Sequence, residues 1–181
     1  MKTFVDTNIL VYAHDTDAGG KHDTAKALLA ELWDSRSGSL STQVLQEFYA
    51  VVTRKFKPAM PLAKARAVVA AYGEWCDVAT QPQLIVSASR LEEEHTLSFW
   101  DALIVQAAIW AGAERLMSED LQDGRRLLTI ENPFGTTRTR PAPPGGAAAA
   151  PDHPGCQTCC RWPPEGLPQL PGPAGWDRPR R

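Results

Sequence analysis

The sequence predicts an α/β fold built on a mostly parallel sheet. Short β-prone runs alternate with longer stretches whose apolar residues recur at helical spacing, and that alternation places helices over both faces of a sheet. A composition break after Phe134 confines this pattern to about 134 of the 181 residues. Residues 135–181 hold 11 Pro, 7 Gly, 6 Ala and 6 Arg, and Leu167 and Leu170 are their only aliphatics larger than Ala. Such a segment buries too little to offset its ordering entropy. The expected organisation is therefore a folded domain over 1–134 and a disordered tail over 135–181.

Each element follows from local chemistry. Lys2–Val5 is β-prone and runs into Asp6-Thr7-Asn8, residues that favour caps and turns, so a strand ends at Asp6 and a helix starts near Ile9. His22–Trp33 carries Ala25, Leu28, Leu29 and Leu32 on one helical face, ending in the polar Asp34–Gly38. Ser39–Ser41 forms a brief second strand. From Thr42 a helix presents Val44, Leu45, Phe48, Val51 and Val52 and stops before Pro58, with Glu47 on the flank of that stripe. Pro61 opens the next helix, through Ala65, Val68, Val69 and Tyr72. Asp77–Thr80 is a weak third strand, and Pro82–Glu94 a helix with a charged end. Ser98 caps a further helix that reaches about Ala111 and stops at Gly112. Arg115–Met117 and Leu127–Ile130 are the remaining strands, separated by the polar turn Ser118–Arg126.

Charge and composition narrow the function classes. The tail carries 6 Arg and 3 acids, leaving 13 basic against 18 acidic residues for 1–134. A basic surface is not what recommends nucleic acid as a partner. No uncharged stretch is longer than Ala102–Ala113, which is far shorter than the roughly 20 residues a membrane span needs. Cys76 stands alone in the first 134 residues, so no disulfide framework is expected there, and a cytoplasmic protein with no membrane association is. Cys156, Cys159 and Cys160, with His153 nearby, form a C-x-x-C-C cluster without a packed scaffold to fix a zinc site. Gly19-Gly20 lacks the following Gly or Lys-Ser/Thr of a phosphate loop.

Four acids stand in core-forming segments: Asp6, Glu47, Asp101 and Asp120. Each has an ordinary reading. Asp6 suits a turn or cap, Glu47 a solvated helix flank, Asp101 a first helical turn, and Asp120 a loop acid like Glu119 and Asp123. Together they imply more, because two like charges about 4 Å apart repel by about 4 kcal/mol at an effective dielectric of about 20. A cation would relieve that repulsion, and oxygen donors without His or Cys favour Mg²⁺ or Mn²⁺. The matching reaction is phosphodiester hydrolysis.

The ordered set FVDTN, STQVLQEF, SFWDALIVQAA, LMSEDLQDG and IENPF resembles PIN-domain ribonucleases, especially the VapC-type toxins of toxin–antitoxin pairs, over Met1 to about Phe134. The resemblance implies a three-layer α/β/α domain with a five-stranded parallel sheet and a Mg²⁺-dependent endoribonuclease site. Asp6, Glu47, Asp101 and Asp120 match the family's acidic quartet. Asn8, Thr42 and Ser118 match its supporting polar positions, and Asp123 helps with a second metal or water. It also implies an RNA substrate, a homodimer and a cognate antitoxin. Arg54, Lys55 and Lys57 are candidate phosphate contacts, although a cationic helix end explains them equally well. Exposed Trp or Tyr residues between Thr42 and Trp75 are candidate partner surfaces. Two other readings compete: a phosphatase with an Asp nucleophile, which wants an acid where Asn8 stands, and a non-catalytic RNA- or partner-binding module on the same fold.

Overall fold

The computed structural model describes residues 1–121 and 129–135, all within the first of the chain's two units, Met1–Arg140. The C-x-x-C-C cluster, the expected tail disorder, Asp123 and the start of the strand expected at Leu127 lie outside the described residues.

Five strands form one parallel sheet: β1 (Thr3–Val5), β2 (Gly38–Ser41), β3 (Cys76–Val78), β4 (Arg115–Met117) and β5 (Thr129–Glu131). Their order is β3-β2-β1-β4-β5. Six helices accompany them: α1 (Thr7–His14), α2 (Gly20–Asp34), α3 (Thr42–Arg54), α4 (Leu62–Tyr72), α5 (Pro82–His95) and α6 (Phe99–Trp110). Helices α1 to α4 pack on one another in sequence neighbourhoods, and α5 packs on α6. Right-handed crossovers then put the two groups on opposite faces, because the chain moves outward from β1 through β2 to β3 and returns to the other side of β1 for β4 and β5. The result is the expected three-layer α/β/α arrangement.

Three helices begin on a capping side chain: Asp6, with α1 starting at Thr7 ahead of the start expected near Ile9, Ser98 as expected, and Ser41, which was expected only as the end of a strand. Asp6 precedes α1 with an extended backbone, and its carboxylate accepts the Thr7 N–H. Ser41 and Ser98 cap α3 and α6 through the N–H groups of Val44 and Asp101. Gly112 takes φ +66 just beyond α6, the left-handed turn that a Cβ disfavours. Pro61 sits at the cap of α4 rather than in its first turn.

The strands carry the core. Phe4, Val5, Leu40 and Leu116 are fully buried, and Ile9, Leu10, Val44, Phe48 and Val52 close over them from α1 and α3. Each such side chain contributes roughly 1.5–3 kcal/mol relative to exposure. The last strand is described over Thr129–Glu131, overlapping the expected Leu127–Ile130, and there Arg115 of β4 forms an ion pair with Glu131. One expectation needs correction. Tyr72 and Trp75 are no partner surface, since both are buried and pack against each other with ring centres 6.0 Å apart. The large exposed aromatics lie instead on α6, at Trp100 and Trp110. Among the described residues no helix is long and apolar enough to cross a membrane.

Candidate active site

In an open parallel sheet the chain leaves a crevice where neighbouring strands send their connections in opposite directions. Here that point lies between β1 and β4, which pair in register as Thr3 with Arg115, Phe4 with Leu116 and Val5 with Met117. The next residue of each strand is therefore Asp6 on one side and Ser118 on the other. Their backbones stay joined, as the Asp6 N–H donates to the Met117 carbonyl at 3.0 Å.

Asp6 is the centre of a hydrogen-bond network. Oδ1 accepts the Thr7 N–H at 2.6 Å, and Oδ2 accepts the Ser118 hydroxyl at 2.7 Å and the Asn8 amide at 3.4 Å. Ser118 is fully buried and its oxygen also accepts the Leu121 N–H, which ties the start of the β4 loop to the same point. The Asn8 amide reaches onward to Asp120 Oδ2 at 3.1 Å. Burial pushes the Asp6 carboxyl up to about 6; the bonds from Ser118 and Thr7 oppose the rise, and the nearby Glu47 and Asp120 charges add to it.

Glu47 arrives from α3. Its two oxygens are held separately, by the Thr7 hydroxyl at 2.8 Å and by the Gln43 amide at 3.0 Å from one turn earlier on the same helix. Asp101 sits in the first turn of α6, where its own N–H is bonded by Ser98 at 3.1 Å. Asp120 is exposed at the rim. Asp6, Glu47, Asp101 and Asp120 all line one pocket of about 340 Å³, with Asn8, Thr7, Gln43, Tyr12, Lys55 and Trp100 among its other walls.

The ordinary and the functional readings of the acids thus coincide. Asp6 is a helix cap and a pocket acid; Asp101 is a first-turn acid and a pocket acid. Not every expected residue reaches the pocket. The Thr42 hydroxyl lies 3.0 Å from that of Thr80 and accepts the Thr80 N–H at 2.9 Å, joining the start of α3 to the loop before α5. It touches none of the four acids. Lys55 lines the pocket, whereas Arg54 and Lys57 are exposed outside it. Thr7 and Gln43 were not anticipated as partners of Glu47. Gln43 was in principle readable, as an amide four residues before an acid on one helical face.

The donors suit a hard divalent cation, being carboxylates with amide and hydroxyl oxygens beside them. Asn8 Oδ1 and Gln43 Oε1 are buried acceptors without a hydrogen-bond partner on two pocket-lining residues. Such orphaned carbonyls mark a polar site built for more than its own internal bonds. The side chains as they stand are spread: among the described residues no three His, Cys, Asp or Glu groups converge tightly enough to hold an ion.

Tyr12 closes the side of the pocket. Its hydroxyl donates to Glu119 at 2.6 Å, its ring meets Phe134 edge to face at 5.1 Å, and the Lys21 ammonium lies 4.7 Å from the ring centre. Lys21 also pairs with Glu119, so the loop after β4 is pinned to α1 and α2.

The PIN domain family matches residues 3–122. No curated protein matches the chain. Among solved structures, the chain is similar to VapC20 of Mycobacterium tuberculosis, a sarcin-ricin loop cleaving toxin, at 23% identity and a TM-score of 0.49, covering 64% of this chain and 87% of that one. It is also similar to VapBC2 of Rickettsia felis bound to a DNA fragment from its promoter, at 18% identity and a TM-score of 0.48, covering 73% and 98%. The family match spans the strands that build the crevice and all four acids that line it. This chain belongs to the PIN-domain family.

Proposed function

We propose that the protein is a Mg²⁺-dependent endoribonuclease, the toxin of a toxin–antitoxin pair, acting in the cytoplasm. The observation that carries the reading is the sharing of one pocket by Asp6, Glu47, Asp101 and Asp120, drawn from four separate elements to the crevice between β1 and β4. Asp6 and Asp101 would hold the ion most directly, with Glu47 and Asp120 completing the oxygen set and Mn²⁺ as a substitute. When bound, a divalent cation polarises a phosphoryl oxygen and acidifies water, which is the chemistry phosphodiester hydrolysis needs.

The protein's own groups prepare that chemistry. Thr7 and Gln43 fix both oxygens of Glu47, so the carboxylate enters the pocket with little rotamer entropy left to lose. Ser118 and Thr7 hold Asp6 in place from two strands' ends. Asn8 links Asp6 to Asp120 and orients the rim. Lys55 is the one cation lining the pocket among the described residues, and it meets the substrate's phosphate; Arg54 and Lys57 extend that contact. Attack of water leaves 5′-phosphate and 3′-hydroxyl ends. A cognate antitoxin and a homodimer complete the proposal.

The test is cleavage of RNA by the purified chain with Mg²⁺, Mn²⁺ or EDTA, with the ends sequenced. Asp6→Asn and Asp101→Asn are expected to abolish divalent-dependent cleavage with the fold intact. Full activity in either folded variant sinks the assignment. The reading as a non-catalytic module on the same fold predicts no Asp6-dependent heat on calorimetric titration with Mn²⁺.

A further inference from the structure

An indole at the rim of a charged pocket is an expensive thing to leave in water unless it meets something flat. Trp100 is 62% exposed, the most exposed aromatic among the large hydrophobic residues, and it lines the acidic pocket directly beside Asp101. Its ring is not loose. It packs on Phe99 with centres 5.4 Å apart and planes inclined by 68°, and Phe99 in turn rests on the core. A ring held this way presents a flat apolar surface at low ordering cost, which is what a nucleobase platform requires.

A second cavity, of about 550 Å³, adjoins the first through Lys55, which lines both. Two further exposed cations line it, Lys57 within the α3–α4 connection and Lys64 on α4. None of the three lysines is in an ion pair with a described residue, although Lys2, Lys21 and Arg115 all are. Asp15 and Asp17 also line this cavity, and Asp15 is occupied in accepting the Asp17 N–H at 3.1 Å. His14 adds no charge at neutral pH, because burial holds it down at about 4. Three lysines against two carboxylates leave the cavity net positive, next to a pocket that carries four acids.

We propose that Trp100 stacks an unpaired base of the substrate at the rim of the acidic pocket, and that the cavity shared through Lys55 holds the phosphate of a neighbouring nucleotide on Lys57 and Lys64. This deepens the endoribonuclease reading and rests on it for the identity of the polymer. The substrate segment is then single-stranded where it crosses the pocket, because a base within a duplex offers its face only to its neighbours. Trp100 acts as a positioning residue, setting which phosphate lies over Asp6 and Asp101.

The experiment is equilibrium binding of a short end-labelled single-stranded RNA, and of the same strand annealed to its complement, to the full chain with Ca²⁺ as the divalent ion. Trp100→Ala is expected to weaken single-strand binding by about 5- to 100-fold, and Trp100→Phe to stay within about threefold of the parent. Lys57→Ala with Lys64→Ala is expected to flatten the dependence of log Kd on log salt by about 0.7 per charge removed. Equal binding by all Trp100 variants, an equal loss in Phe and Ala, or a duplex bound as tightly as the single strand overturns the stacking role. An unchanged salt slope in the double lysine variant overturns the phosphate role. Cleavage is scored separately after exchange into Mg²⁺: intact RNA there, with the binding pattern as expected, removes the proposed reaction and leaves the strand path standing.

Discussion

Asp6→Asn is expected to remove cleavage and, without divalent ions, to make the protein more stable. The folded state keeps its Asp6 proton up to about pH 6, whereas the unfolded chain releases it near 3.8. Ionisation is therefore easier in the unfolded chain, so stability is lost as pH rises from 3.8 and the loss is complete just above 6. A shift of about two units corresponds to about 3 kcal/mol at pH 7.5, and to only about 1 kcal/mol at pH 4.5, where the unfolded chain is itself partly protonated. Asn never ionises and escapes this cost. Its amide can keep the Thr7 N–H contact and donate to Ser118, but the Asn8 amide then loses an acceptor, a penalty of about 1 kcal/mol. The expected net gain at pH 7.5 is about 2 kcal/mol, or a Tm higher by several degrees, shrinking to about zero at pH 4.5. Urea denaturation of both proteins in EDTA at the two pH values measures it. Saturating Mn²⁺ is expected to erase the advantage, since it stabilises only the parent. A variant less stable than the parent at both pH values, by the same amount, refutes the argument that buried charge at Asp6 is held against the fold.

Three other substitutions probe the surroundings. Ser118→Ala removes the buried hydroxyl bonded to Asp6 and Leu121; it is expected to cost about 2 kcal/mol and to move the acidic limb of the pH–rate profile upward, and an unmoved limb argues that Ser118 does not tune Asp6. Thr42→Val is expected to cost about 1 kcal/mol through its bonds to Thr80 while leaving kcat/KM within about twofold, and a large loss of activity in a folded variant restores Thr42 to the site. Gly38→Ala places a methyl 2.6 Å from the Trp75 ring, so a loss of about 2–3 kcal/mol in urea is expected, and parental stability would show that the indole yields.

Most of the fold was legible because its punctuation is chemical. Asp6 and Ser98 before helices and Gly112 after one are readable as single residues, and the apolar stripe of α3 as a period. The last strand was readable from its β-prone residues, but its register rests on Arg115 and Glu131 across the sheet, a pairing no local window contains. The four acids were readable from their misfit with apolar neighbours, and they share a pocket. The direction of the Thr42 hydroxyl was not legible, because the first residue of a helix can turn it toward the site or toward the adjoining loop, and Thr80, 38 residues away, decides it. A separation of 40 residues likewise hid the contact of Thr7 with Glu47.

The pairing of Val5 with Met117 also has a bearing on how the chain finds its fold. Asp6 meets Ser118 only if β1 and β4 are in that register. A slip of one residue in one direction sets Met117 against the carboxylate, with no donor to offer, and in the other sets Glu119 there, charge against charge. Strands of three residues are too short to fix their alignment by apolar pattern alone. Asp6 thus doubles as a proofreader of strand pairing, and the sheet that brings the four acids to one pocket is checked by one of them.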